Sequence, residues 1–470
     1  MSKEIRFNAF AMNCTGHMAP GLWRHPNDHS DRYVDLKHWT DLAQLLEQGK
    51  FDGLFLADVL GTYDVYQGRA DAAIRQGIQT PVNDPLLIVS AMAHVTEHLG
   101  FGVTCALTYE HPYSFARRAS TLDHLTKGRF GWNVVSGYLE SAARNFGFDQ
   151  QTQHDDRYEL AEEYMEVCYK LWELSWDRDA VKRDRKKGIF ANPAQVHGIA
   201  HTGKYFKVPG FHLSEPSPQR TPVLYQAGAS RRGKEFAAKH AECVFVSAPS
   251  KAIVKSYVRD LRKSAVERHR GSILIFVMFT IIVAPTDHEA VTKFDEYRSY
   301  VDYEGALALM SGWTGVDLSQ YRPDQELRAM ETNANQSALE SFTVSDPNRH
   351  WTIREIAEFV GIGGRGPVVV GSPGTVADEL QRWIDETDVD GFNLAYVVMP
   401  ETYQDIVDLL VPELQRRGVY KKEYRPGTLR EKLFRQGPYL PETHPGNSHA
   451  LSRTISMSGA KTSVQEPPVW

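Results

Sequence analysis

The chain has 470 residues and a formal net charge of −6 at pH 7, with 42% hydrophobic and 24% charged residues. This composition is typical of a soluble globular protein, and the acidic balance gives no reason to expect nucleic acid or an anionic membrane as a partner. No apolar stretch is long enough for a membrane span, and the N-terminus lacks the apolar core of a signal peptide, so we expect a cytoplasmic protein.

Short apolar runs alternate with amphipathic helical stretches along the chain, which predicts βα units and a parallel sheet. Eight runs have the length and composition of buried strands: residues 5–12, 52–58, 101–107, 129–135, 222–228, 243–248, 272–284 and 391–399. Between them lie predicted helices, such as the one that Asp84 and Pro85 begin and Gly100 ends. Eight βα units favour an α/β fold of the TIM (β/α)8 type over an open doubly wound sheet.

Three long stretches exceed a minimal barrel. They follow predicted strands 2, 4 and 7, at about residues 60–82, 137–221 and 286–370. Loops after barrel strands lie on the catalytic face, so we expect these insertions to form lids and pocket walls. We assign residues 1–425 to a single barrel. Residues 426–470 are rich in Pro, Ser, Gly and His and are interpreted as a C-terminal arm, partly disordered or in contact with another subunit.

Polar side chains accompany the ends of several predicted strands. They are Asn13, Cys14 and His17 after strand 1, Asp58 at the end of strand 2, Thr104 and Cys105 in strand 3, and Asn133 and Ser136 in strand 4. Burying an amide such as Asn133 in an apolar strand is costly unless the amide forms hydrogen bonds with a partner. Each residue alone also fits a structural role, as a cap or a satisfied surface group, but together they favour one ligand site.

The segment "QAGASRRGKEFAAKHA", residues 226–241, predicts a strand that turns through small residues into a helix. Backbone N–H groups and the helix dipole at such a helix start favour a phosphate, with Ser230 as a hydrogen-bond donor and Arg231 or Arg232 adding charge. The alternative is an ordinary capped turn. Motifs for nucleotide hydrolysis, for a Rossmann dinucleotide site, for a hydrolase triad and for a zinc protease are absent from the sequence, and no metal site is expected.

Ten short motifs, in order, resemble one family. They are "NAFAMNCTGH", "GLWRHP", "GKFDGLFLADV", "PVNDP", "TLDHLTKGR", "WNVVS", "HDDRYE", "EPSPQRTPVLYQAGAS", "VADEL" and "DGFNL". From about residue 5 to 435, the chain resembles the bacterial luciferase-like two-component flavin monooxygenases. The similarity is to the branch with nitrilotriacetate, dibenzothiophene sulfone, dimethyl sulfide and long-chain alkane monooxygenases, and it is strongest to the dimethyl sulfide type.

The resemblance implies a TIM barrel that binds reduced FMN delivered by a separate NAD(P)H:flavin reductase, in a homodimer or homotetramer. It assigns residues to the isoalloxazine ring: Asp58, Thr104 and Asn133. It assigns a second set to the ribityl phosphate end: His154, Tyr158, Gly228, Ala229 and Ser230. Asn133 is therefore expected to hydrogen-bond the polar edge of the flavin.

The resemblance also assigns substrate-side positions. The alkane enzymes use residues that match Cys14, His17, Tyr63 and Gln79. Where those enzymes have two histidines, this chain has Tyr138 and Leu309, as does the dimethyl sulfide type, and we expect a less polar pocket there. We interpret His17 as the group that steers protons, because an unperturbed imidazole has a pKa near working pH.

The implied reaction inserts one atom of O2 into a small apolar organosulfur compound, of the dimethyl sulfide or sulfone type. The family forms a flavin C4a-(hydro)peroxide, which needs a dry pocket. Three alternatives stay open: oxidation of a long-chain alkane, hydride transfer with a deazaflavin, and flavin binding without turnover.

Overall fold

A computed structural model describes residues 3–228, 230–271, 273–345 and 349–447. In these ranges the strands are β1 Arg6–Met12, β2 Gly53–Ala57, β3 Gly100–Ala106, β4 Phe130–Val135, β5 Val181–Asp184, β6 Ile189–Ala191, β7 His201–Thr202, β8 Lys207–Val208, β9 Val223–Gln226, β10 Cys243–Val246, β11 Leu274–Val283, β12 Val368–Gly371 and β13 Gly391–Ala395. Each predicted run coincides with one of the strands β1, β2, β3, β4, β9, β10, β11 and β13, although β3 begins one residue before its run.

These eight strands form a closed parallel barrel. They pair in the order β1-β2-β3-β4-β9-β10-β11-β13, and β13 pairs with β1 to complete the ring. Strands buried on both faces are continuous apolar runs, which explains why the sequence pattern located them. The predicted TIM barrel is confirmed.

Helices alternate with the barrel strands and surround them. They are α1 Leu36–Gln48, α2 Asp71–Gln76, α3 Leu86–His94, α4 Pro112–Leu125, α5 Glu140–Asn145, α6 His154–Tyr169, α7 Arg231–His240, α8 Lys251–Glu267, α9 Asp287–Tyr300, α10 Tyr303–Thr314, α11 Gln336–Thr343, α12 Ile353–Val360, α13 Pro373–Thr387, α14 Glu401–Asp405, α15 Val411–Arg416 and α16 Leu429–Phe434. Five short 3-10 helices lie at Leu22–Arg24, Ser30–Val34, Tyr66–Gly68, Pro193–Gln195 and Leu318–Gln320, and π-helical segments at Lys170–Leu174 and Ile406–Leu410.

The helix predicted from Asp84 is shorter than its sequence pattern indicates. Asp84 caps it, because Oδ1 accepts the N–H of Leu86 at 2.8 Å, but the helix ends at His94, well before Gly100. The buried Arg129 side chain donates to the carbonyls of Ala93, Thr96 and Leu99, and so stabilises the irregular segment that follows. A long-range side chain thus satisfies carbonyls that a longer helix would have used.

Strand β12 was not among the predicted strands. β11 has ten residues, and its first half pairs with β10 and β13 to close the barrel. The second half extends beyond the ring, where Thr280–Val283 pair in parallel with Val368–Gly371. The backbone N–H and C=O groups in this second half of β11 need partners, and β12 supplies them. β12 has only four residues, which is too short to be recognised from its sequence.

The three insertions are built as predicted, after β2, β4 and β11. The first contains α2, the second α5, α6 and the hairpins β5–β6 and β7–β8, and the third α9 to α12 with β12. The first and third pack closely: a Cβ on Gly312 of α10 would overlap the ring of Tyr63. Glycine is therefore required for α10 to approach the tyrosine.

The chain beyond residue 425 also contacts the barrel. Arg430 of α16 is buried and forms an ion pair with Glu242, at 2.7 and 2.8 Å, and donates to the carbonyls of Thr221 and Pro222. The domain boundary and the proposed subunit contact of the arm stay predictions, and residues 448–470 lie outside the described residues. Among the helices of the described ranges, none is long and apolar enough to cross a membrane.

Candidate functional site

A cavity of about 260 Å³ lies at the carboxyl ends of the barrel strands. Its floor includes Ala57, Ala106, Val135 and Gln226, which end β2, β3, β4 and β9, and its walls come from all three insertions. The predicted site residues that line it are His17, Asp58, Tyr63, Gln79, Thr104, Asn133, Tyr138, His154, Tyr158, Gly228 and Ser230. One cavity thus gathers side chains from distant parts of the sequence.

Among the described site residues, Cys14 is not in this lining. Its side chain is buried, and its backbone pairs with Val82 in an isolated antiparallel bridge. Burial, together with the charge of Asp58, raises the pKa of this thiol, which is therefore protonated. Ala229 lies outside the described residues.

Asn133 and Thr104 are neighbours because β3 and β4 pair in parallel with these two residues in register. Asn133 Nδ2 donates to Thr104 Oγ1 at 2.9 Å, which orients the amide. The other amide atom, Asn133 Oδ1, is buried and has no hydrogen-bond partner among the described residues. An unsatisfied buried acceptor costs about 1–3 kcal/mol, so a ligand that donates an N–H here would bind favourably.

Asp58 follows β2 at the edge of the same cavity. Burial raises the pKa of its carboxyl to about 7, the charge of Asp84 adds to this, and the backbone of Val59 opposes it. Near neutral pH the group is partly protonated, so it can either donate or accept a hydrogen bond. Perturbed carboxyls of this kind are common at functional sites.

The helix start predicted to bind phosphate is present. Ser230 Oγ accepts the N–H of Gly233 at 3.0 Å and lies 3.3 Å from His154 Nε2, and Tyr158 lines the cavity beside it. A Cβ at Gly233 would come within 2.9 Å of the Tyr158 hydroxyl, so the glycine keeps this corner open. The backbone N–H groups of α7 and these donors suit an anion.

The charge that Arg231 or Arg232 was expected to add at the phosphate end stays a prediction. Arg231 and Arg232 both contact Glu235, each at 3.3 Å, and neither lines the cavity. The helical spacing directs them toward an acidic partner on their own helix. Arg157, which the sequence pattern did not single out, lines the cavity, but it already donates to the carbonyls of Gly137 and Asn333.

A chain of hydrogen bonds links the predicted substrate-side residues. Gln79 Nε2 donates to the carbonyl of His17 at 2.9 Å, and the Tyr63 hydroxyl donates to Gln79 Oε1 at 2.8 Å. The hydroxyl of Tyr138 lies 2.7 Å from that of Tyr63. Burial raises the pKa of both phenols, so both stay neutral.

His17 is 1% exposed and packs edge-on against Phe10, with ring centroids 4.5 Å apart. Its two ring nitrogens have no hydrogen-bond partner in the described residues. The expectation of a pKa near working pH is wrong, because burial lowers the pKa of His17 to about 3 and the backbone of Phe10 opposes this only in part. The imidazole is therefore neutral, with one donor and one acceptor free for a ligand.

Three further cavity residues were missed. Gln226 ends β9 with its Oε1 buried and unpartnered, and Trp313 and Arg365 come from the third insertion. The glycine-rich stretch "GIGGRGP", residues 361–367, is the signal that could have drawn attention to Arg365. Leu309, in contrast, is buried in α10 and does not line the cavity, so of the two histidine replacements only Tyr138 changes the lining.

The fold and the site together define a barrel enzyme whose cavity suits a flat, phosphorylated cofactor beside a small substrate. The sequence of residues 16–390 matches the family described as luciferase-like monooxygenases. The chain belongs to this family, and the protein is a flavin-dependent monooxygenase.

Two curated relatives are similar over nearly their whole lengths. Dimethyl-sulfide monooxygenase of Hyphomicrobium sulfonivorans is 54% identical over 448 residues, which are 95% of this chain and 93% of the relative. Long-chain alkane monooxygenase of Geobacillus thermodenitrificans is 52% identical over 447 residues, 94% of this chain and 97% of the relative. A crystal structure of riboflavin lyase with modified FMN and riboflavin matches with a TM-score of 0.89 at 38% identity, covering 95% of this chain and 99% of that one.

Proposed function

We propose that the protein uses reduced FMN to insert one atom of O2 into a small organosulfur compound of the dimethyl sulfide or sulfone type. The observation that carries the proposal is a single cavity lined both by the Asn133–Thr104 pair and by Ser230 at the start of α7. These groups match the two polar parts of FMN, the ring edge and the phosphate. The relative that is 54% identical and named for dimethyl sulfide supports the substrate class.

The residues present fit FMN. Asn133 Oδ1 is an unpartnered acceptor for a ring N–H, and Asp58 is a second polar group for the ring. Ser230, His154 and Tyr158 with the N–H groups of α7 would hold the phosphate, which favours FMN over riboflavin. When bound, the reduced flavin supplies the electrons that activate O2.

The protein's own side chains would orient the substrate and exclude water. Phe10, Phe55, Leu107 and Leu139 give the cavity apolar walls, which favour a dry reaction site. The linked hydroxyl and amide groups of Tyr63 and Gln79 would hold a polar atom in a fixed position, and neutral His17 can donate or accept one hydrogen bond. The proton movement assigned to His17 therefore starts from a neutral imidazole.

We further propose that a separate NAD(P)H:flavin reductase supplies the reduced FMN. The sequence contains no dinucleotide-binding fingerprint, so the hydride step is assigned to a partner. Oxidation of a long-chain alkane is the second candidate, and the relative that is 52% identical and named for that reaction favours it.

A side-by-side assay tests the substrate class. Purified protein, any flavin reductase, NADH and FMN are mixed with dimethyl sulfide, an aromatic sulfone or hexadecane, and products and released hydrogen peroxide are measured. We expect oxygenation of at least one sulfur compound above a control without the monooxygenase. Hydroxylation of hexadecane alone would assign the protein to alkane oxidation, and peroxide release with no product from any compound would contradict the organosulfur proposal.

A further inference from the structure

Arg365 lines the cavity without a polar partner. Its guanidinium carbon lies 5.2 Å from the centre of the Trp313 ring, and within the described residues it makes neither a hydrogen bond nor an ion pair. Its side chain is half-buried, so the guanidinium is partly shielded from bulk water, and a charged group in such a position gains from an acceptor. A ligand is thus the natural source of the missing acceptor.

The buried arginines Arg430, Arg157 and Arg129 each make at least two hydrogen bonds. Arg430 bonds both oxygens of Glu242, and Arg157 donates to two backbone carbonyls. Arg129 donates to four carbonyls and to the hydroxyl of Thr96. Arg365 departs from this pattern: it is half-buried, lines the cavity and makes no such bond within the described residues, so its N–H donors are available to a ligand.

The turn that carries Arg365 is held in place by close packing. Gly363 and Gly364 both have positive φ angles, of 81° and 65°, and a Cβ at Gly364 would come within 2.7 Å of the Met18 sulfur. A Cβ at Gly366 would lie 2.5 Å from the carbonyl oxygen of Met278 in β11. Because the turn cannot relax away from the barrel, the arginine is presented to the cavity by a rigid element.

In the described part of the chain, no carboxylate pairs with the guanidinium. Burial lowers the pKa of Arg365, and the groups that oppose this shift are the phenols of Tyr138, Tyr257 and Tyr63. Burial raises the pKa of each of these phenols, so they are neutral and offer only oxygen dipoles. The cavity is electropositive at this point.

Arg365 interacts electrostatically with Tyr63 and Tyr138, which are predicted substrate-side residues, so we assign it to that part of the cavity. Tyr63 and Tyr138 belong to the hydrogen-bonded chain that reaches Gln79 and His17, whereas the proposed phosphate contacts are His154, Tyr158 and Ser230. A guanidinium has a planar fork of N–H donors that matches two oxygens on one atom. Such a pair is present in a sulfonyl group and absent from a thioether or an alkane.

We propose that Arg365 binds the oxygen atoms of a sulfonyl group, so that the substrates of this cavity are sulfones or sulfonates rather than thioethers or alkanes. The ligand class rests on the proposed organosulfur monooxygenation, and the binding site itself rests on the unpaired arginine. The Trp313 ring, 5.2 Å from the guanidinium carbon, adds a cation–π contact that would support the arginine beside such a ligand.

The test measures binding without turnover. The protein with oxidised FMN is titrated in a calorimeter with dimethyl sulfone, methanesulfonate and dimethyl sulfide, and the same titrations are made with Arg365→Gln and Arg365→Lys. We expect Arg365→Gln to weaken both sulfonyl ligands by about 10- to 100-fold, to leave dimethyl sulfide unchanged, and to be partly rescued in Arg365→Lys. Arg268→Gln, which removes an exposed arginine, is the charge-matched control and should bind like the wild type.

Two outcomes would overturn the inference. One is unchanged affinity of Arg365→Gln for both sulfonyl ligands. The other is a loss of FMN affinity in that variant, measured by flavin fluorescence, without a specific loss of sulfonyl binding, which would assign Arg365 to the cofactor. Methanesulfonate is also titrated without FMN, so the arginine site can be confirmed even if the protein proves not to oxygenate sulfur compounds. Thermal unfolding checks that the variants are folded.

Discussion

The hydroxyl oxygens of Tyr63 and Tyr138 lie 2.7 Å apart, and the Tyr63 hydroxyl also donates to Gln79 Oε1. Tyr63 has a single proton, so Tyr138 must be the donor in the bond between the two phenols. The Tyr138 oxygen then has acceptor capacity left for a group in the cavity. This relationship joins the first and second insertions, since the two residues come from the segments after β2 and β4.

Tyr63→Phe is expected to destabilise the protein more than Tyr138→Phe. The first change leaves Gln79 Oε1 buried without a donor, at a cost of about 1–3 kcal/mol, whereas the second removes a group at the end of the chain of hydrogen bonds. Urea unfolding of both variants compares the two costs. Equal stability of Tyr63→Phe and the wild type would contradict the hydrogen-bond chain.

Ser230→Asp is expected to weaken FMN binding by about tenfold or more while riboflavin binding changes little. Aspartate remains a good helix N-cap, so α7 should form, but its charge would repel the phosphate. Fluorescence titration with both flavins measures the difference, and Ser230→Asn serves as a neutral capping control. Equal losses for FMN and riboflavin would show that Ser230 acts only as a cap.

His17→Phe is expected to lower oxygenation by about 10²- to 10⁴-fold and to leave FMN affinity nearly intact. Product formation and flavin titration separate the two effects.

The same variant tests the pKa of His17. Because the folded-state pKa of about 3 lies below the ordinary value of 6.5, the neutral imidazole favours folding above pH 6.5, and this contribution decreases as the pH falls toward 3. The variant should therefore lose less stability than the wild type between pH 7.5 and 5.5, as measured by urea midpoints.

Asp58→Asn is expected to remove a pH dependence from flavin binding. With a pKa of about 7, Asp58 becomes ionised as the pH rises from 6 to 8, and its charge would then disfavour the electron-rich edge of the flavin ring. We expect wild-type affinity for riboflavin, which lacks the phosphate, to fall over this range. A wild-type affinity that is flat from pH 6 to 8, or an equal slope in Asp58→Asn, would contradict this role.

The purified protein alone is expected to form no product from NADH, O2 and an organosulfur substrate. Adding a flavin reductase and free FMN should start turnover, because the sequence has no dinucleotide fingerprint of its own. Product analysis with and without the reductase is the measurement. Sustained NADH-driven product formation by the protein alone would show that no separate reductase is needed.

The barrel and much of the cavity were determined by the sequence itself. Strands buried on both faces must be continuous apolar runs, so the eight barrel strands were visible without a structure. The carboxyl ends of parallel strands meet on one face, so polar residues there, such as Asp58, Thr104 and Asn133, were expected to converge. Local rules of this kind depend on neighbours in sequence or on adjacent strands.

Only the tertiary structure decided which of these groups are paired, charged or exposed to the cavity. The ion pair of Arg231 with Glu235 and the absence of the buried Cys14 from the cavity lining could not be read from the sequence. The low pKa of His17 depends on burial by segments far away in sequence, and the position of Arg365 beside Trp313 depends on the packing of the third insertion. Pairing, charge state and exposure arise from the packing of the insertions against the barrel. The contacts that this packing creates are not encoded in any periodicity or local motif.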